Sequence, residues 1–97
     1  IQKYTQAISM NPGFAESYLG RGLANRNLDN YDSAVNDLQT YISRTGAHDG
    51  YVALADVYFK MGKNKEAYSI ASQGLAKYKD SKILRTLANN IYKNKID

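Results

Sequence analysis

Residues 50–67 read GYVALADVYFKMGKNKEA, and this stretch decides the fold. Tyr51, Leu54, Ala55 and Tyr58 fall at i, i+3, i+4 and i+7, the spacing that places side chains on one face of an α-helix. Gly62-Lys63 interrupts the pattern. It resumes with Ala67, Ile70 and Ala71, and Leu75 and Tyr78 extend the stripe. Working backward, Tyr31, Ala34, Val35 and Leu38 repeat the same spacing. Breakers stand at Pro12-Gly13, Asp29-Asn30, Thr45-Gly46, Gly62-Lys63 and Lys79-Asp80. No run alternates with period two. The spacing predicts six helices, near 1–10, 14–27, 31–44, 48–61, 64–78 and 81–94. The links are so short that neighbours must form antiparallel hairpins.

Sliding the chain along itself until Gly22 meets Ala55 reveals a repeat. Gly22, Ala55 and Ala88 coincide, as do Ala34 and Ala67. Tyr18, Tyr51 and Leu84 share a place. So do Asn25, Tyr58 and Ile91, and so do Arg26, Phe59 and Tyr92. With one extra residue at Pro12, Ile8 joins Ile42 and Leu75. A period of 33–34 with two helices in each period implies an all-α solenoid of stacked helix pairs.

The stretches 17–34 (SYLGRGLANRNLDNYDSA) and 50–67 resemble the tetratricopeptide repeat. In that family an aromatic, a Leu-Gly or Leu-Ala pair and a Tyr mark the first helix. A Gly marks the turn, an Ala the second helix, and a Pro follows it. Tyr51, Leu54-Ala55, Tyr58, Gly62 and Ala67 fit. The earlier stretch offers Tyr18, Arg21-Gly22, Tyr31 and Ala34, but has Asn25 in place of Tyr and Asp29 in place of Gly. Pro12 then resembles the proline that closes a repeat. The resemblance implies half a repeat at 1–12, repeats at 13–46 and 47–80, and a terminal helix at 81–97, as a fragment of a longer protein.

Composition bounds the function. The chain has 97 residues, 43% of them hydrophobic and 23% charged, a balance suited to a packed core. It has no cysteine, which excludes disulfides and thiolate metal sites. No apolar run reaches the roughly 18 residues of a membrane span. The net charge of +4 is uneven: residues 1–59 carry four basic and six acidic groups, residues 60–97 nine basic and three acidic. A basic end attracts nucleic acid or an acidic partner, although charge runs more often face water. His48 beside Asp49 suggests a general base, but no motif places a nucleophile near it, and the reading is of a non-enzyme. Asp29 and Asp32 bracket a helix start, a capping position more than a metal site. No cofactor and no metal site is read.

Binding is the function that the resemblance implies. First helices of successive repeats line a concave groove in this family. The matching positions form three stripes: Leu19, Leu23 and Arg26; Val52, Asp56 and Phe59; Arg85, Asn89 and Tyr92. The expected partner is a protein segment, an extended peptide or a helix. One subgroup of the family clamps a terminal carboxylate with Lys, Asn, Asn, Lys and Arg. The corresponding residues here are Leu19, Leu23, Ala53, Lys82 and Thr86, so only one fits and such a tail is not expected. Two alternatives stand beside the groove. One is self-association through the N-terminal helix, giving a homo-oligomer. The other is weak nucleic-acid binding through the basic C-terminal half: Lys60, Lys63, Lys65, Lys77, Lys79, Lys82, Arg85, Lys93 and Lys95.

Overall fold

The apolar stripe of residues 51–58 becomes the most deeply buried helix in the molecule. A computed structural model describes residues 1–96. Its elements are α1 (Gln2–Met10), α2 (Ala15–Asn27), α3 (Tyr31–Thr45), α4 (His48–Lys60), α5 (Asn64–Lys77) and α6 (Lys82–Ile96), with no strand among the described residues. Asp97 and the side chain of Lys95, counted above with the terminal helix and the basic end, lie outside the described residues. Each helix packs antiparallel on the next, and α4 also touches α2 and α6. The pairs α2–α3 and α4–α5 are the two hairpins of a right-handed solenoid.

The two hairpin turns are built alike. Asp29 and Gly62 stand one repeat apart, and both take left-handed backbone, with φ of 62° and 78°. After each, an amide reaches back to the carbonyl five residues earlier: Asn30 N to Asn25 O at 2.8 Å, and Lys63 N to Tyr58 O at 2.9 Å. This arrangement satisfies carbonyls that the ending helix leaves open. Glycine adopts such a φ freely. Asp29 is held there by the Tyr31 hydroxyl, which donates to Asp29 Oδ1 at 3.0 Å.

The core fills the spaces between hairpins. Ala34, Leu38, Ala53, Leu54 and Val57 form one cluster, and Ala55, Ala67, Ala71, Ala88 and Ile91 form the next. Fully burying a Leu or Ile stabilises by about 1.5–3 kcal/mol, so Leu38, Leu54, Leu84 and Ile91 carry much of the fold. Small residues set the spacing. A Cβ on Gly22 would lie 2.9 Å from Leu38 Cγ, so α2 and α3 cross there without room for a methyl group. α1 differs from the rest: it buries none of its residues and packs on α2 alone.

The repeat length changes along the chain. The first helices begin at Ala15, His48 and Lys82, so the second repeat is one residue longer than the first. The cause lies in the links between hairpins. α3 stops at Gly46, in left-handed backbone with φ 61°, and α4 begins two residues later. α5 has no such glycine. It ends at Tyr78 with φ −115°, and the link runs through 78–81 before Ser81 Oγ accepts the Leu84 amide at 3.1 Å and starts α6. Packing follows the longer period. Gly50 of α4 lies against Tyr41 of α3, and in the next junction Leu84 of α6 lies against Gly74 of α5. Tyr41 and Gly74 keep the spacing of the shorter repeat, whereas Gly50 and Leu84 are one residue further apart. Large and small have changed sides at this contact. Ala88 therefore occupies the place of Leu54, not that of Ala55, and the coincidence of Gly22, Ala55 and Ala88 fails at its third member.

Candidate functional site

The three first helices, α2, α4 and α6, lie side by side, and two hollows open between them. The larger, about 490 Å³, is lined by Arg26, Val52 and Asp56 on one side and by Lys82, Ile83, Thr86, Leu87 and Asn90 of α6 on the other. The smaller, about 290 Å³, is lined by Leu19, Leu23 and Arg26 of α2, His48, Asp49, Val52 and Ala53 of α4, and Ile83. Arg26, Val52 and Ile83 belong to both, so the hollows form one trough across three helices. Its floor is mainly apolar. Ile83 is 59% exposed, a large apolar side chain left to water at the junction of the two hollows.

Among the polar side chains of the lining, Arg26, Asp56, Asp49 and His48 have partners within the protein. Arg26 Nη1 lies 3.7 Å from Asp56 Oδ2, and Lys60 Nζ lies 3.7 Å from the same oxygen. Arg26 Nε is buried and has no hydrogen-bond partner. Asp49 Oδ1 accepts the Tyr41 hydroxyl at 3.0 Å. Burial, and after it this hydrogen bond to a carboxylate, push the Tyr41 phenol up to about 12. His48 Nε2 lies 2.6 Å from Ser81 Oγ. The same oxygen accepts the Leu84 amide, and His48 serves as a strut between the start of α4 and the start of α6. No group of three or more His, Asp or Glu side chains suited to a metal ion occurs among the described residues.

Five of the residues expected from the sequence meet in the trough: Leu19, Leu23, Arg26, Val52 and Asp56. Four line neither hollow. Phe59 is half-buried and packs against the Ala55–Ala67–Ala71 cluster. Arg85 donates to Lys79 O at 3.0 Å, Asn89 is exposed, and the Tyr92 ring sits 6.0 Å from that of Tyr68 on α5. The reason for the last three is the extra residue between α4 and α6. One residue turns a helix by about 100°. The stripe Arg85, Asn89 and Tyr92, placed by a constant repeat length, is thereby rotated out of the trough, and Ile83, Thr86, Leu87 and Asn90 take its place. The same extra residue moves the last two carboxylate-clamp positions from Lys82 and Thr86 to Ile83 and Leu87. All five then hold apolar residues: Leu19, Leu23, Ala53, Ile83 and Leu87. The signal for this was in the sequence: Gly46 has no counterpart before α6, and Ser81 offers a helix cap at the longer spacing.

Stacked helix hairpins with a trough on the first-helix face define an α-helical repeat protein. The tetratricopeptide repeat model matches residues 15–48 and 48–75, and the chain belongs to that family. Small glutamine-rich tetratricopeptide repeat-containing protein 2 of Saccharomyces cerevisiae is 38% identical over 68 residues, which is 69% of this chain and 20% of that protein. The chain thus spans about a fifth of the length of this curated relative. Among solved structures, the Arabidopsis OM64 TPR domain superposes with a TM-score of 0.84 at 21% identity, over 93% of this chain and 75% of that one. The second TPR domain of human RPAP3, solved with the HSP70 peptide SGPTIEEVD, gives 0.84 at 21% over 92% and 75%. A thermophilic TPR protein of Thermus thermophilus, TTC0263, gives 0.84 at 26% over 92% and 46%.

Proposed function

We propose that this chain is a non-catalytic interaction module that binds a segment of a partner protein along the trough between α2, α4 and α6. The observation that carries the reading is the continuity of the two hollows through Arg26, Val52 and Ile83. A trough open across three helices, lined by apolar side chains with charged ones set among them, suits a chain segment better than a compact small molecule. The residues that line it sit on helices held by the core, so little ordering entropy is lost on binding. The RPAP3 domain with its bound peptide lends the reading support at the level of the fold.

The test is capture from a nuclease-treated lysate by the wild-type chain, Val52→Lys and Ile83→Glu. Both sites face solvent in part, so helicity is expected to persist. A protein retained by wild type and lost by both variants is the expected result. Undiminished capture by both would overturn the reading. Nucleic-acid binding through the basic end is less favoured. Lys77 donates to Gly46 O, Arg85 to Lys79 O, and Lys60 faces Asp56, so three of its cations are already engaged.

A further inference from the structure

Arg26 is the cation that both hollows share, and its Nε is a buried donor without an acceptor. Nε itself is shielded, but the Arg26 side chain is 26% exposed overall, so the guanidinium keeps an open edge toward the trough at which a ligand acceptor can bind. Arg26 contacts Asp56 at 3.7 Å, beyond good hydrogen-bonding distance, and Lys60 competes for the same oxygen. Lys82 stands on the opposite wall of the larger hollow, so that hollow carries two cations against one carboxylate. Apolar side chains flank Arg26 on both sides: Leu19 and Leu23 in the smaller hollow, Leu87 in the larger, with Ile83 between them.

Resting on the trough as the binding surface, we infer that its occupant is an internal stretch of a partner chain in which an Asp or Glu is flanked on both sides by large apolar side chains. The carboxylate meets Arg26, with Lys82 across from it, and the apolar side chains fill the two hollows. A charge-assisted bond between guanidinium and carboxylate is stronger than a neutral one. A free C-terminus at the Leu19–Leu23 end would meet apolar side chains at the clamp positions and have only the shared Arg26 and the engaged His48 near it, a poor replacement for its water.

The test is selection from two displayed libraries of random peptides, one presenting them internally between fixed flanks and one with a free terminal carboxylate. The expected result is enrichment from the internal library of sequences with an acidic residue between two apolar ones. Synthetic peptides of that pattern should bind Arg26→Met about tenfold or more weakly than wild type, with circular dichroism unchanged. Arg26→Lys keeps the charge but loses the planar, forked guanidinium that pairs with a carboxylate, and should also bind more weakly. Enrichment confined to the free-carboxylate library, or sequences with no acidic residue, or equal binding by wild type and Arg26→Lys, would overturn the inference. No enrichment from either library would overturn it as well. If lysate capture still depends on Val52 and Ile83 in that case, the trough survives and only its ligand chemistry is wrong. If capture fails too, the trough itself is wrong.

Discussion

In the first repeat Arg21, Asn25 and Asp37 meet between α2 and α3; in the second the same three places hold Leu54, Tyr58 and Ile70. The backbones are alike and the chemistry is opposite. Arg21 grips Asp37 with two parallel bonds, Nε to Oδ2 at 2.9 Å and Nη2 to Oδ1 at 2.8 Å, and Asn25 Nδ2 adds a longer contact to Oδ2 at 3.4 Å. Arg21 Nη1 also reaches Thr5 Oγ1 on α1 at 3.3 Å, which ties the least buried helix to the rest. The hydrogen bond to Asp37 raises the Arg21 guanidinium further above its ordinary value, outweighing the opposing effect of burial. The apolar version gains from water released around Leu54 and Ile70. The polar version spends much of its attraction on desolvating two charges, and its net contribution is small although each partner depends on the other. One geometry therefore accepts either solution, provided that all three positions change together.

Asp37→Ala should be the most damaging single change in this comparison. It strands Arg21 and Asn25 and is expected to cost about 3 kcal/mol or more, read as a fall in the urea midpoint. The triple replacement Arg21→Leu, Asn25→Tyr, Asp37→Ile copies the second repeat into the first. It should be as stable as wild type or more so, despite removing the same carboxylate. A triple variant as damaged as Asp37→Ala would show that the two repeats are not interchangeable.

The junctions differ as well. Tyr41 fills the first, where the second has Gly74. Because Tyr41 is raised to about 12 in the fold and returns to about 10 on unfolding, its neutral form stabilises the protein fully below pH 10. That contribution is lost as pH rises toward 12. Thermal melts over this range should show a steep alkaline decline in wild type and a shallower one in Tyr41→Phe. Equal slopes would remove Tyr41 as the cause.

The smallest effect is expected at the turns. Asp29→Gly should stabilise by about 0.5 kcal/mol, less the loss of the Tyr31 bond, while Gly62→Ala should cost about 1 kcal/mol at the equivalent place. Chemical denaturation of both variants checks this. A loss from Asp29→Gly as large as that from Gly62→Ala would mean that the side chain, and not the backbone angle, controls the first turn.

Helices, hairpins and family were legible because burial writes itself as periodicity: Tyr51, Leu54, Ala55 and Tyr58 have few other readings. The turn positions were legible because Asp29 and Gly62 sit in phase. Arg21 with Asp37 was harder to see. The two lie 16 residues apart, and only comparing three departures at equivalent places would have linked them. The third stripe lies outside the two hollows for a specific physical reason. Small residues at Gly22, Ala55 and Ala88 suggested a constant period, but link length is set by how a helix ends, and α5 ends without the glycine that stops α3. A single residue in a loop is cheap, while on the following helix it changes which face is presented.

The central claim is therefore the rotation of α6, since it decides which residues wall the trough. The chain has no cysteine, so pairs can be introduced without background. Val52→Cys with Thr86→Cys should be joined readily by a short bis-maleimide, because both side chains line the same hollow. Val52→Cys with Arg85→Cys should not, because Arg85 points away toward Lys79. Efficient cross-linking through position 85 and not through position 86 would contradict the account and restore the stripe that a constant period places in the trough.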